Sequence, residues 1–340
     1  MILFLHNSKS CCTFASTDSA TLPIRIANQG GTFAFIPLMA TTYTKEPLSV
    51  NSQIELLKSR GLIIDDEAAA EATLYSVSYF RLVAYLRPME ANKETHEFKP
   101  NSHFDDAVAL YHFDCELRNL IFKAVQDIEI ALRTRIIQEF SMRNGAFWFY
   151  DTALAVDGHQ FLENMTSLDR ELKRSKEDFI REHYAKYDNP AFPPSWKSLE
   201  LASFGTLSKF YYNFKDIRAK KIVARSFNLP QHEVLESWMR SIAVLRNCCA
   251  HHARIWNRVY PKMPQLTGFH PRGQWITNIP AVANRLYSLL SCIAYWLDSM
   301  NLGNSFKQSL LETIARYPNV DVTAMGFPDD WKSEPLWGNN

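Results

Sequence analysis

Apolar residues recur at helical spacing through most of the chain. The longest such stretch runs from His103 to Phe140, where apolar residues at steps of three and four form one broad face. Asp105 and Asp106 suit the positive end of a helix that begins there. The stretch from Gln231 to Tyr260, which Pro261 ends, repeats the spacing. The pattern therefore predicts two long helices that carry much of the core.

Shorter amphipathic segments surround these two helices. Asn189 to Trp196 is the clearest internal break because it is dense in proline, and residues 92–101 read as a polar loop. The other segments predict a helix from Ser52 that ends near Gly61, helices over 67–80, 161–186, 196–214, 215–227, 276–299 and 304–316, and an irregular C-terminal strap. With only 11 glycines in 340 residues, the chain is unlike a many-turned β protein. We expect an all-α fold.

Length and composition divide the chain into three parts. At about 100–200 residues per domain, one large or two modest domains fit. Residues 1–45 lack a clear period, and the sequence after Met39 reads like an ordinary protein start, so we expect a disordered or misannotated extension. Residues 46–102 are expected to form an N-terminal helical segment, and residues 103–337 a helical domain.

Charge, cysteine content and the length of apolar runs limit the partners and the cellular compartment that the sequence predicts. A net charge of +1 means that any nucleic-acid contact needs a local basic patch. The six cysteines include two adjacent pairs and no C-x-x-C, which favours a reducing cytoplasm over a disulfide framework. The most apolar run, Leu286 to Leu297, is shorter than the roughly 20 residues that span a bilayer. We therefore expect no membrane association.

The segment LRNCCAHHARIWNR holds the candidate chemistry. If the helix continues to Tyr260, its packing side carries Cys249, His252 and Trp256. A polar stripe at steps of four, three and four then runs through Asn247, His251, Arg254 and Arg258. Arg246 lies off this stripe, about 140° from His251 around the helix, and would have to swing in or come from another subunit.

Arginine, asparagine and histidine together suit phosphodiester cleavage. An imidazole can move a proton near neutral pH, so His251 can act on a ribose 2′-hydroxyl or on the leaving oxygen. Arg246 can hold phosphate oxygens in a bidentate grip, and Asn247 is placed to orient the imidazole of His251. Such a site needs no metal or cofactor and acts on RNA, because the 2′-hydroxyl is the nucleophile. An Arg and a His at this spacing are common by chance, so the neighbouring residues carry the prediction.

Several of these residues have simpler interpretations. His251 can be an ordinary surface histidine, and His252 a buried or interface one, although its spacing also fits the motif. Arg254 and Arg258 bind RNA or only solvate the helix, and Glu129 with Arg133 forms an ion pair that is either incidental or positions Arg246. Zinc ligation is poorly served by four residues that point in different directions around a helix: Cys248, Cys249, His251 and His252.

Six segments between Ser49 and Trp337 resemble one family. The chain is similar to abortive-infection proteins of the AbiD/AbiF type, a bacterial phage-defence group in the HEPN superfamily. LRNCCAHHARIWNR is the most specific of the six segments. The others are SQIELLKSRGLIIDD, YFRLVAYLRP, FDCELRNLIFKAVQDIEIALRTRI, WKSLELASFGTLSKFYYNF and MGFPDDW.

The resemblance implies a multi-helix bundle of HEPN type with additional N- and C-terminal helices. It also implies a homodimer and a metal-independent ribonuclease motif, formed here by Arg246, Asn247 and His251. From the residues themselves, we expect His252, Arg254 and Arg258 to bind RNA. Because each chain carries one motif, a composite site needs two chains. The leading hypothesis is a phage-defence endoribonuclease, kept quiet by a non-coding RNA or an antitoxin. The alternatives are a protein that holds a non-coding RNA without cutting it, and a toxin that acts through protein contacts.

Overall fold

Helices make up most of the described part of the chain, and their connections range from tight turns to the long segment between residues 250 and 286. The computed structural model describes residues 45–268, 271–280, 283–300 and 303–338. Strands β1 (Glu90–Asn92) and β2 (Glu97–Phe98) form a small antiparallel hairpin. The helices in the described ranges are α1 (Val50–Ser59), α2 (Glu67–Val77), α3 (Tyr79–Leu86), α4 (Phe104–Asn144), α5 (Gly158–Arg174), α6 (Asp178–Lys186), α7 (Ser195–Ser198), α8 (Phe204–Asn213), α9 (Ile217–Ser226), α10 (His232–Ala250), α11 (Leu286–Met300) and α12 (Phe306–Arg316). This architecture confirms the all-α prediction.

Helix α4 is the central column. Its 41 residues extend over roughly 60 Å at 1.5 Å per residue. Acidic residues in its first turn favour the positive end of the helix dipole, and Gly145 ends it with a φ of 85° that suits glycine. Helices α3, α9, α10, α11 and α12 all pack against α4. The apolar spacing therefore predicted this helix almost to its ends.

Two buried clusters lie along α4. The smaller one joins α1, α2 and α3 to the start of α4, and the larger one fills the space among the later helices. From Val50 onward the chain forms one compact unit. Every residue from Leu286 to Leu297 is buried, so the most apolar run of the sequence lies in the core. Among the described residues, no helix is long and apolar enough to cross a membrane.

Three predicted helices are each divided into shorter ones, two of them at a serine that caps the next helix. The helix over 67–80 breaks at Ser78, whose φ is 68° and whose hydroxyl accepts the N–H of Arg81 to begin α3. Ser203 caps α8 in the same way, and the chain from α5 to α6 breaks after Arg174. Local hydrogen bonds of this kind compete with helix continuation, and apolar spacing does not reveal them.

Two further predicted boundaries were wrong, and one prediction lies outside the structure. The polar loop over 92–101 contributes to the β1–β2 hairpin, and α11 begins at Leu286 rather than near residue 276. Of the predicted N-terminal extension, residues 1–44 lie outside the described residues.

Candidate active site at the end of helix α10

Helix α10 ends at Ala250, so the helix predicted to continue to Tyr260 is too long. The N–H of His252 donates to the Cys249 oxygen at 3.1 Å, and the N–H of Ala253 donates to the Cys248 oxygen at 2.9 Å. His252 has a φ of 54°. This is a Schellman ending, in which the left-handed residue is usually glycine. The turn redirects the chain, and the polar stripe does not continue as a helix face.

A buried carboxylate holds the chain after this turn. Asp114 of α4 accepts the N–H of Ile255 at 3.1 Å and that of Trp256 at 2.6 Å. It also accepts the hydroxyl of Tyr85 from α3 at 2.7 Å and pairs with Arg118 one turn along α4. We call Tyr85, Asp114 and Arg118 the Asp114 cluster. Through it, two helices and the segment after α10 share one set of hydrogen bonds.

The Asp114 cluster is costly to bury and costly to disrupt. Burial raises the pKa of the Asp114 carboxyl, although the Arg118 charge, the Tyr85 hydroxyl and two backbone N–H groups act in the opposite direction. Burial likewise raises the pKa of the Tyr85 hydroxyl. Removing one partner of a buried ion pair typically costs about 3–5 kcal/mol, because an uncompensated charge remains. The position of the turn is therefore firmly set.

Sequence reasoning missed the Asp114 cluster. Its signal was an Asp and an Arg four residues apart among the apolar positions of α4, where charged side chains are rarely buried without partners. The partners on the turn lie 141 and 142 residues further along the chain. No local pattern could have identified them.

Asn247 and His251 are both exposed at the end of α10. The backbone N–H of His251 donates to the main-chain carbonyl oxygen of Asn247 at 3.0 Å. Within the described part of the chain, neither side chain makes a hydrogen bond. The structure thus places the two residues together on an open surface, but the amide does not orient the imidazole.

Arg246 lies against α4 instead. Its Nε is 3.7 Å from Oε2 of Glu129, and its guanidinium carbon is 5.5 Å from the centre of the Phe122 ring. The other oxygen of Glu129 accepts from Arg133 at 2.7 Å. Of the two interpretations of the Glu129–Arg133 pair, the geometry favours the one in which it positions Arg246. Arg246 and His251 occupy different sides of the helix end.

The predicted RNA-binding residues follow the turn. His252 is exposed, so its predicted place on the packing side was wrong, because the helix ends before it. Arg254 donates to the Ala84 oxygen of α3 at 3.1 Å, and Arg258 donates to the Arg254 oxygen at 3.3 Å. Burial lowers the pKa of the Arg254 guanidinium; Tyr85 and Asp114 act to raise this pKa, and the positive charges of Arg258 and Arg87 act to lower it. These arginines therefore gather beside α3.

Cys248 and Cys249 are buried, as expected of small packing residues. Burial raises the pKa of the Cys249 thiol to about 12, which makes it a poor nucleophile and ligand. No three His, Cys, Asp or Glu side chains among the described residues lie close enough together to hold a metal ion.

Fold and site together define a helical protein with an exposed histidine and grouped arginines at a rigid helix end. The model of the Abi-like protein family matches residues 72–257, more than half of the chain. The chain therefore belongs to the Abi-like protein family, and membership points to abortive infection, a form of phage defence. The matched range contains the whole Asp114 cluster and every predicted site residue except Arg258. No curated protein and no solved structure matches the chain.

Proposed function

We propose that this protein acts in abortive infection as a HEPN-type endoribonuclease, with His251 as the general acid and base. The observation that carries the proposal is the exposed His251 on a turn held by the Asp114 cluster, with Arg254 and Arg258 next to it. An open, basic surface suits a long anionic substrate better than a small molecule in an enclosed pocket. The rigid turn suits catalysis, because reacting groups must be held in place.

The reaction needs only RNA and the side chains. The imidazole of His251 takes the proton of a ribose 2′-hydroxyl, and the oxygen attacks the adjacent phosphorus. The bond from phosphorus to the 5′-oxygen breaks, and that oxygen receives a proton. The products are a 2′,3′-cyclic phosphate and a 5′-hydroxyl. Arg246 would hold the non-bridging oxygens, where charge develops.

Because Arg246 packs against α4, we infer that His251 and Arg246 act together across a homodimer. In this arrangement the arginine of one chain reaches the phosphate beside the histidine of the other. Glu129 and Phe122 hold the Arg246 side chain toward α4, which leaves its two terminal nitrogens to meet the partner.

Cleavage in EDTA is the first test. Purified protein and labelled RNA should give cyclic-phosphate ends, and His251→Ala should lower the rate by at least about a hundredfold, as expected for loss of a general acid–base group. Arg170→Ala, an exposed arginine on α5, is the matched control and should cleave like the parent. A His251→Ala protein that cleaves and arrests growth like the parent would contradict the proposal. RNA that is retarded but intact would favour the non-cleaving alternative.

Mixing two inactive variants tests the composite site. A heterodimer of Arg246→Ala and His251→Ala chains has one complete site and one empty one. An equimolar mixture that exchanges subunits should recover about a quarter of the parental rate. If the mixture stays inactive while both variants are folded and dimeric, the site lies within one chain.

A further inference from the structure

Helix α3 runs beside the turn that carries the candidate site. Arg81 of α3 donates to the carbonyl oxygen of His252 at 2.7 Å. One turn later, the Ala84 oxygen accepts the guanidinium of Arg254 at 3.1 Å. Two successive turns of α3 are thus bonded to the segment that follows α10. No prediction from the sequence placed α3 at the site.

An aromatic ring on the outer face of α3 and the guanidinium of the residue that follows this helix lie in one line. Phe80, Ala84 and Arg87 stand at i, i+4 and i+7, and so share a stripe. The Phe80 side chain is 82% exposed, and Arg87 is also exposed. A single exposed phenylalanine is ordinary in proteins. This one, however, lies on the stripe whose middle residue bonds Arg254.

The arginines around this stripe lack acidic partners. In the described part of the chain, Arg81, Arg87, Arg254 and Arg258 form no ion pair with a carboxylate. Seven other described arginines do: Arg118, Arg133, Arg143, Arg174, Arg181, Arg246 and Arg316. Eight further described arginines, Arg170 among them, also form no ion pair, so what distinguishes these four is their common position around α3 and the turn after α10.

Arg254 lies at the centre of this group of arginines. Arg254 is partly buried, and its burial lowers the pKa of the guanidinium. Tyr85 and Asp114 favour the protonated form, whereas the charges of Arg258 and Arg87 disfavour it. The Nε of Arg258 is buried without a hydrogen-bond partner. An anion placed among these side chains would relieve the repulsion and supply acceptors. These observations favour an anion as the ligand of this surface.

We propose that Phe80, Arg87, Arg254 and Arg258 form a binding track for single-stranded RNA next to His251. The guanidinium groups contact successive phosphates, and the Phe80 ring stacks on an unpaired base. Phe80 and Arg87 are about 10 Å apart along the helix at 1.5 Å per residue, so ring and charge meet neighbouring parts of one strand. This deepens the proposed function and rests on it for the choice of RNA as the anion.

Binding can be measured without cleavage in a His251→Ala background. The probe is a fluorescein-labelled single-stranded RNA of mixed sequence, followed by anisotropy over a series of salt concentrations. Phe80→Ala should weaken binding about tenfold and leave the salt slope unchanged, since stacking is uncharged. Arg87→Gln should weaken binding and reduce the slope by about 0.7, the value for one phosphate of a single strand.

Matched controls come from exposed residues elsewhere in the fold. Arg170→Gln on α5 removes an exposed arginine that has no acidic partner in the described residues. Trp196→Ala on α7 removes an aromatic side chain that is 51% exposed. Both should bind the probe like the His251→Ala parent. Circular dichroism of each variant verifies that the helices are intact.

The outcomes separate this inference from the proposed function. If Phe80→Ala and Arg87→Gln bind the probe as tightly as the controls, the track is wrong, whether or not the protein cleaves RNA. If the duplex form of the probe binds as tightly as the single strand and Phe80→Ala has no effect, the stacking role is wrong. If the protein binds vesicles of anionic lipid but does not bind the RNA probe, the RNA-binding track is also wrong. If both variants lose binding while the parent never cleaves RNA, the track stands and the endoribonuclease fails.

Discussion

A buried ion pair lies near each end of helix α10, and the two pairs have different structural roles. Near the beginning, Glu236 accepts from Lys220 of α9 at 2.8 Å, and Lys220 also donates to the Tyr212 oxygen of α8 at 2.8 Å. Beyond the other end lies the Asp114 cluster. Lys220 and Glu236 join three helices, and within the described residues no hydrogen bond or ion pair links either side chain to the candidate site. The carboxylate of Asp114 accepts hydrogen bonds from two backbone N–H groups after the turn. The same chemistry thus serves helix packing in one place and loop placement in the other.

The largest effect is expected for Asp114→Ala. It leaves Arg118 buried without its partner, and it removes the acceptor of two backbone N–H groups and of the Tyr85 hydroxyl. We expect a loss of about 5 kcal/mol in the free energy of unfolding, measured with urea. Native-state hydrogen exchange at Ile255 and Trp256 should accelerate more than exchange in α10. Unchanged protection of these two amides would show that Asp114 does not hold the turn.

A smaller loss is expected for Lys220→Ala. Glu236 would keep a buried charge without its partner, at a cost of about 3 kcal/mol in urea unfolding. The candidate site should be unaffected, so RNA cleavage per folded molecule should match the parent under conditions where both are folded. The double variant Lys220→Met with Glu236→Leu should regain most of the stability. A Lys220→Ala protein that is folded but inactive would show that this ion pair, like the Asp114 cluster, supports the candidate site.

The smallest effect is a gain. His252 occupies the left-handed position of the Schellman ending, where a side chain is strained and glycine is not. His252→Gly should therefore raise the free energy of unfolding by about 0.5–1 kcal/mol, after the extra flexibility of the unfolded chain is included. Urea unfolding measures this change. A loss of stability would mean that the imidazole makes a contact worth more than the strain.

How far the sequence determines the structure differs between the helices and the site. Apolar spacing predicted α4 and the type of nearly every element, because burial of one face is a local signal with a fixed period. It did not predict where α10 ends, because neither Gly nor Pro stands at the turn and a histidine takes the left-handed position. The residue types of the candidate site were predicted from LRNCCAHHARIWNR. Their arrangement was not, because it depends on Asp114 and Arg81, which are distant in sequence.

The Asp114 cluster also limits how a protein of this design can change over time. A substitution at Tyr85, Asp114 or Arg118 alone strands a buried polar group, so single steps away from the set are strongly unfavourable. The three positions can drift only in concert, for example by exchanging the whole set for apolar residues and finding another anchor for Ile255 and Trp256. A related protein that has lost one member should therefore have altered the other two, and with them the path of the chain beside His251.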